Sequence, residues 1–290
     1  MKSGTIWPIE LGTTGILASG RWLWIRAVSW ATLLAAAGWG LFFTTIFLRA
    51  WLHLPPDSAY AIFAGMPLLG FVGYGYSVRF GEKRTATEIM PAKGMLLELS
   101  LGFAIGFVTI FAMIAMLWAM GLYRVQHNHW QHIFDAFLFS PYLSGMLEEL
   151  IFRAILLRIL SRAFGASWGL VLSSLLFGAA HLGHATPIQA TQVTLNGVLM
   201  GLLYLSTGRL WMSIGMHTAF DFIEDSVVGV NHHSGLFYST PMPGKPDWLT
   251  GGAFGPDGSA LASVIAVLMI LAILAAQKRG FFRRYLRSTP

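Results

Sequence analysis

Glu148, Glu149 and Arg153 sit inside a largely apolar run from Ile133 to Leu160. A charge at bilayer depth costs at least ~2.5–3.5 kcal/mol even on lenient insertion scales, so it needs a partner or a purpose. On a helix Glu149 and Arg153 are four apart and share a face, with the acid N-terminal, the favourable order for an ion pair. Glu148 lies about 100° round the same helix and finds no partner there. Two later apolar stretches carry further polar groups: Phe177-Gly178-Ala179-Ala180-His181 and His217-Thr218-Ala219-Phe220-Asp221. The four-residue spacing lets His217 and Asp221 point into one cavity. An unpaired Glu, two His and an Asp on three segments of one bundle predict a hydrated interior site.

What is missing limits the chemistry. The chain has no cysteine, which excludes disulfides, thiolate metal sites and a Cys nucleophile. No Ser occupies a nucleophile-elbow context, and phosphate-cradling glycine loops are absent. Water activation remains. A desolvated Glu148 can take a proton from water while His181 holds that water, and His217 with Asp221 can stabilise or orient a tetrahedral oxyanion, Asp221 donating only when protonated. Alternatively His181, His217 and a carboxylate, Glu149, hold Zn²⁺ with one position open to water. Either route hydrolyses an amide within or beside the membrane.

The elements that must position these groups follow from composition. The 290 residues are 55% hydrophobic and 11% charged, with a mean hydropathy of +0.62, where a soluble domain is roughly a quarter charged. An all-α polytopic membrane protein is expected, with about eight transmembrane helices in one bundle. About 20 apolar residues cross the hydrocarbon, and such windows lie near 28–50, 59–79, 94–120, 137–160, 166–185, 188–206, 209–227 and 259–277. Residues 1–27 read as an interfacial N-terminal segment, with Trp7, Trp22 and Trp24 beside Arg21 and Arg26, and no cleavable signal peptide is expected. The peptidase-like domain spans 28–277, its motif core 140–225 and an outer loop 230–258; 278–290 form a basic tail. With the N-terminus inside, sixteen of the nineteen Lys and Arg fall on inner segments, so both termini are expected in the cytoplasm. The net charge of +6 then reports topology and anionic lipid rather than nucleic acid.

The remaining features carry simpler readings. Spans one and two hold no internal charge and read as scaffold. The inner loop Phe80 to Lys93 reads as a solvated connection, and Glu98 as a snorkelling or Arg-paired carboxylate. Gly102 and Gly106, like Gly197 and Gly201, permit close helix approach. His53, His127, His129, His132, His184, His232 and His233 all fall on the outer side, where ordinary loop histidines compete with a metal-gathering or pH-sensing rim. The Gly/Pro-rich stretch Val230 to Gly258 is a lid or binding-loop candidate, with disorder its rival.

Glu148-Glu149-x-x-x-Arg153, Phe177-x-x-x-His181 and His217-x-x-x-Asp221, in that order on successive spans, resemble the motifs of the CPBP family. These are the CAAX-type prenyl-protease and bacteriocin-processing intramembrane peptidases, also called the Abi family. The resemblance covers about residues 140–225. It implies that Glu148 is the catalytic carboxylate, His181 its water-activating partner, and His217 with Asp221 the oxyanion or ligand pair, with Glu149 and Arg153 supporting. Two departures stand out: Asp221 where the eukaryotic prenyl-protease branch usually has Asn, and Ala154 where the family commonly has Gly. The partners implied are membrane lipids and a membrane-associated protein or peptide. A catalytically silent scaffold of the same fold and a proton-coupled transporter are the competing functions, though the two halves of the chain show no convincing repeat. The peptidase reading requires Glu148, His181 and His217 to meet around a shared water.

Overall fold

A computed structural model describes residues 7–53, 56–91, 93–128, 145–183, 185–230 and 235–288. Among them, helices lie where the apolar windows predict. They are α1 (Leu23–Trp51), α2 (Pro56–Ser77), α3 (Met95–Ala119), α4 (145–164), α5 (Ala166–Ala180), α6 (Pro187–Thr207), α7 (Trp211–Asp221) and α8 (Ala260–Lys278), followed by the short basic helix α9 (Phe281–Ser288). By length and composition α1, α3, α6 and α8 can each cross a membrane. Large apolar side chains such as Leu33, Phe43, Leu96, Val108 and Leu268 stand exposed on α1, α3 and α8. An exposed apolar belt of that extent suits lipid contact rather than water. π-Helical stretches continue α2 (Val78–Glu82) and α7 (Phe222–Val227) and interrupt α4 (Leu150–Leu157).

Local sequence explains the helix ends. Thr186 and Gln189 form a reciprocal capping box ahead of Pro187 at the first position of α6, and Gly208, at φ 70°, ends that helix. Ser259 caps α8 by accepting from the Ala262 N–H at 3.1 Å. The glycine pairs act as packing devices. A Cβ on Gly102 would lie 2.1 Å from the Met212 carbonyl oxygen, so α3 lies against α7 at a distance no side chain would allow, while one on Gly201 would press on the Leu170 side chain of α5 at 2.5 Å.

The end of α4, the start of α5, the end of α6 and the start of α7 gather at one end of the molecule. There the Leu210 N–H donates to the Glu88 carbonyl at 3.0 Å, and Arg162 donates to the carbonyls of Gly12 and Leu17 at 2.9 and 3.2 Å. Glu98 is paired at this end, Arg209 Nη2 lying 2.5 Å from its Oε1, which is the Arg-paired alternative.

The inner loop departs from its expected role. Glu82, Arg84 and Glu88 are buried, not solvated. Arg158, fully buried in α4, donates to both Glu82 carboxylate oxygens at 2.9 and 2.6 Å. Arg84 joins Glu82 at 2.8 Å and Glu88 at 2.9 and 2.7 Å, and the Tyr74 hydroxyl donates to Glu88. Two guanidinium and two carboxylate groups compensate one another, so a polar loop can be enclosed. Burial alone would raise the Glu88 pKa, but the Arg84 hydrogen bond and the charges of Arg158 and Arg84 outweigh it and hold the carboxyl below its ordinary 4.5. A carboxyl depressed in the folded state contributes stability above its unfolded value and loses it as pH falls through the folded value. The thermal midpoint in detergent should therefore drop as pH falls below 4.5, and Glu88→Gln should flatten that acid limb; an unchanged limb in the variant would contradict it.

At the opposite end the chain is not purely helical. β1 (Tyr123–His127) pairs antiparallel with β2 (Phe237–Pro241), in register from Tyr123 opposite Pro241 to His127 opposite Phe237. The loop that contains β2 is ordered over 235–258: Gln189 Nε2 donates to the Gly251 carbonyl at 2.7 Å and the Tyr123 hydroxyl to the Thr250 carbonyl at 2.9 Å. Of the histidines expected on the outer side, His53 is exposed and His127 stands edge-on to Phe237, with ring centroids 6.2 Å apart. His129, His132, His184, His232 and His233 lie outside the described residues.

Candidate active site

Glu148 and Glu149 occupy the first described turn of α4, immediately before its π-helical stretch. Gly145, three residues earlier, allows this turn to lie against α7, since a Cβ there would come 2.5 Å from Thr218 Oγ1. Glu149 is wholly buried. Its Oε1 accepts from His217 Nδ1 at 2.8 Å and lies 3.0 Å from Arg153 Nη1. Its Oε2 has no hydrogen-bond partner among the described residues. Arg153 is also enclosed, its guanidinium carbon 4.6 Å from the centroid of the Phe177 ring and 5.9 Å from that of Phe152. Ring faces and one carboxylate together make a buried cation tolerable.

His217 connects this supporting layer to the open side of the site. With Nδ1 committed to Glu149, Nε2 faces two more carboxylates, 4.0 Å from Glu148 Oε2 and 3.7 Å from Asp221 Oδ1. Both separations exceed a hydrogen bond and are of the length that a bridging water or a substrate atom occupies. Glu148 and Asp221 keep some exposure, with 12% and 25% of their side chains accessible, whereas Glu149 keeps none.

His181 caps the end of α5, and its Nδ1 lies 2.8 Å from the Phe177 carbonyl oxygen. Its ring centroid is 4.9 Å from that of Phe177, which in turn is 5.9 Å from that of His217. The Phe177 ring therefore neighbours both imidazoles. Glu148, Glu149, Arg153, His217 and Asp221 come together through direct polar geometry, while His181 joins them through that ring. The sequence assigned Phe177 no task; its place four residues before His181, on the same helical face, is the signal that marks it.

Charge from the site reaches the loop that contains β2. Burial first, and the Asp221 charge second, push the Asp257 carboxyl up to about 7.

As placed, these side chains fit the zinc arrangement poorly. Glu149 lies on the Nδ1 side of His217, behind the ring, where it orients the imidazole instead of sharing Nε2 with a cation. Among the described residues no three His, Asp or Glu side chains gather into a group able to hold a metal ion.

Residues 130–223 match the family model described as type II CAAX prenyl endopeptidase Rce1-like. The match holds every candidate site residue, and it bears out the resemblance to the CPBP family over that segment. No curated protein and no solved structure matches the chain. The apolar helices and this family support an integral membrane protein related to membrane proteases.

Proposed function

With the Rce1-like match over residues 130–223 as premise, we propose that the protein is an intramembrane endopeptidase. It crosses the bilayer eight times with both termini in the cytoplasm and hydrolyses a peptide bond near the end of a membrane-associated protein or peptide. Its partners are that substrate and membrane lipids, not nucleic acid. The observation that carries the reading is His217: Nδ1 is fixed by Glu149 at 2.8 Å, and Nε2 is turned toward Glu148 at 4.0 Å and Asp221 at 3.7 Å.

Glu148 takes a proton from a water held between it and the imidazoles, with His181 as its partner on that water. The hydroxide attacks the scissile carbonyl carbon, and the C=O π electrons move onto oxygen. His217, with a second proton at Nε2, donates to that oxyanion, and Asp221 beside it orients the imidazole, donating to the oxyanion itself only when protonated. Collapse breaks the C–N bond, and the proton held by Glu148 passes to the leaving amine. Glu149 and Arg153 keep the His217 ring oriented, as a buried carboxylate does for a catalytic imidazole.

Cleavage of a library of quenched membrane-associated peptides by the purified protein in liposomes tests this, combined with elemental analysis and chelation. Turnover that survives chelation supports the carboxylate mechanism. Turnover lost to chelator and restored by zinc moves the chemistry to a metal held by Glu149, His181 and His217. Binding without cleavage indicates a silent scaffold, and substrate-dependent proton flux a transporter.

A further inference from the structure

The π-helical interruption of α4 lies between the two catalytic-site acids and the buried charge network. At its exit the Arg158 N–H reaches the Arg153 carbonyl, five residues back. In an α-helix that N–H would bond Ala154, four back. The Ala154 carbonyl instead takes side-chain donors: Arg158 Nε lies 2.9 Å away and the Tyr74 hydroxyl 3.1 Å, the hydroxyl proton being shared between this carbonyl and Glu88. These donors are themselves fixed. Arg158 is held at both ends of its fork by Glu82, and Arg84 holds Glu82 and Glu88 in place.

We infer that Tyr74 and Arg158 are positioning residues that hold α4 in its π register and thereby aim Glu148 and Glu149 at His217. A π interruption adds a residue to the turn, and each residue of an α-helix turns the chain by about 100°. The part of α4 after the interruption is anchored by the Arg158 fork. Return to α geometry would therefore swing the turn carrying Glu148 and Glu149 by about 100° around the helix axis, away from the 2.8 Å contact with His217. The carbonyl that the π register leaves over is the one that the network occupies. Both residues act only through the backbone of α4, and neither touches the reacting atoms.

The kinetic half of this inference rests on the proposed peptidase reading; the register half does not. Tyr74→Phe tests it, because it removes one hydroxyl and leaves every charge and the ring packing in place. Amide hydrogen exchange over residues 150–159 should rise about tenfold relative to the rest of the bundle, and kcat should fall about tenfold with KM within about twofold, as expected when groups needed in the transition state are misaimed. A purely structural tyrosine would lower the thermal midpoint and leave kcat of the folded protein unchanged; that result, or unchanged exchange over 150–159, would overturn the inference. Raised exchange in a protein whose wild type cleaves nothing would support the register claim and sink the peptidase reading.

Discussion

Replacement of Glu148 by Gln should abolish peptide cleavage while the protein still inserts and folds. The substitution keeps the shape of a side chain that reaches His217 only across 4.0 Å and removes its capacity to accept a proton. Loss of a positioned general base costs about 10²–10⁴-fold, and here the same group must also return the proton to the leaving amine. His181→Ala should reduce turnover to a similar extent by releasing the water. Among the described residues the Glu148 side chain makes no hydrogen bond, approaching His217 only to 4.0 Å, so the thermal midpoint of Glu148→Gln should stay near the wild-type value. Retained turnover in either variant, in protein shown to be folded, would end the assignment of these residues.

The second large effect lies far from the chemistry. Arg158→Met should destabilise the protein by about 3–5 kcal/mol, because removing one partner of a buried ion pair leaves the other uncompensated. Arg158 is fully buried and donates to both oxygens of Glu82, which is itself fully buried. Arg84 and the Trp30 indole would remain on Glu82 but cannot replace the fork. Replacing Arg158 and Glu82 together by apolar residues should recover part of the loss, since a buried pair removed whole is far less costly than one broken. A loss below about 1 kcal/mol for the single variant would mean that the network behaves as solvated surface pairs do.

Much of the site is legible because its residues are spaced by local helix geometry. Glu149 and Arg153, and likewise His217 and Asp221, share faces by the four-residue rule, and the structure pairs the first two at 3.0 Å and sets the second two 3.7 Å apart. The helix positions are equally legible, since uninterrupted apolar runs permit little else in a chain of this hydropathy. Contacts between residues distant in sequence are not. Arg158 counts as one more topological base until Glu82, 76 positions earlier, is seen against it. The loop from 80 to 93 reads as solvated because composition reveals polarity but not which opposite charge will enclose it. β1 and β2 are each five residues long, with the helices α4 to α7 between them in the chain, too short to declare a strand before its partner is known. The π register is silent for a different reason: its apolar residues are buried all round, so no periodicity separates four residues per bond from five. That Glu149 would contact His217 directly, with Glu148 left facing the open side, follows from that register and not from spacing.

A single turnover in ¹⁸O-labelled water tests the central claim most directly. If Glu148 activates water, the new C-terminal carboxylate of the first product molecule carries one solvent oxygen, and the peptide containing Glu148 carries none. An unlabelled first product with label in Glu148 would show the carboxylate attacking the substrate itself, and the water-activation account would be wrong.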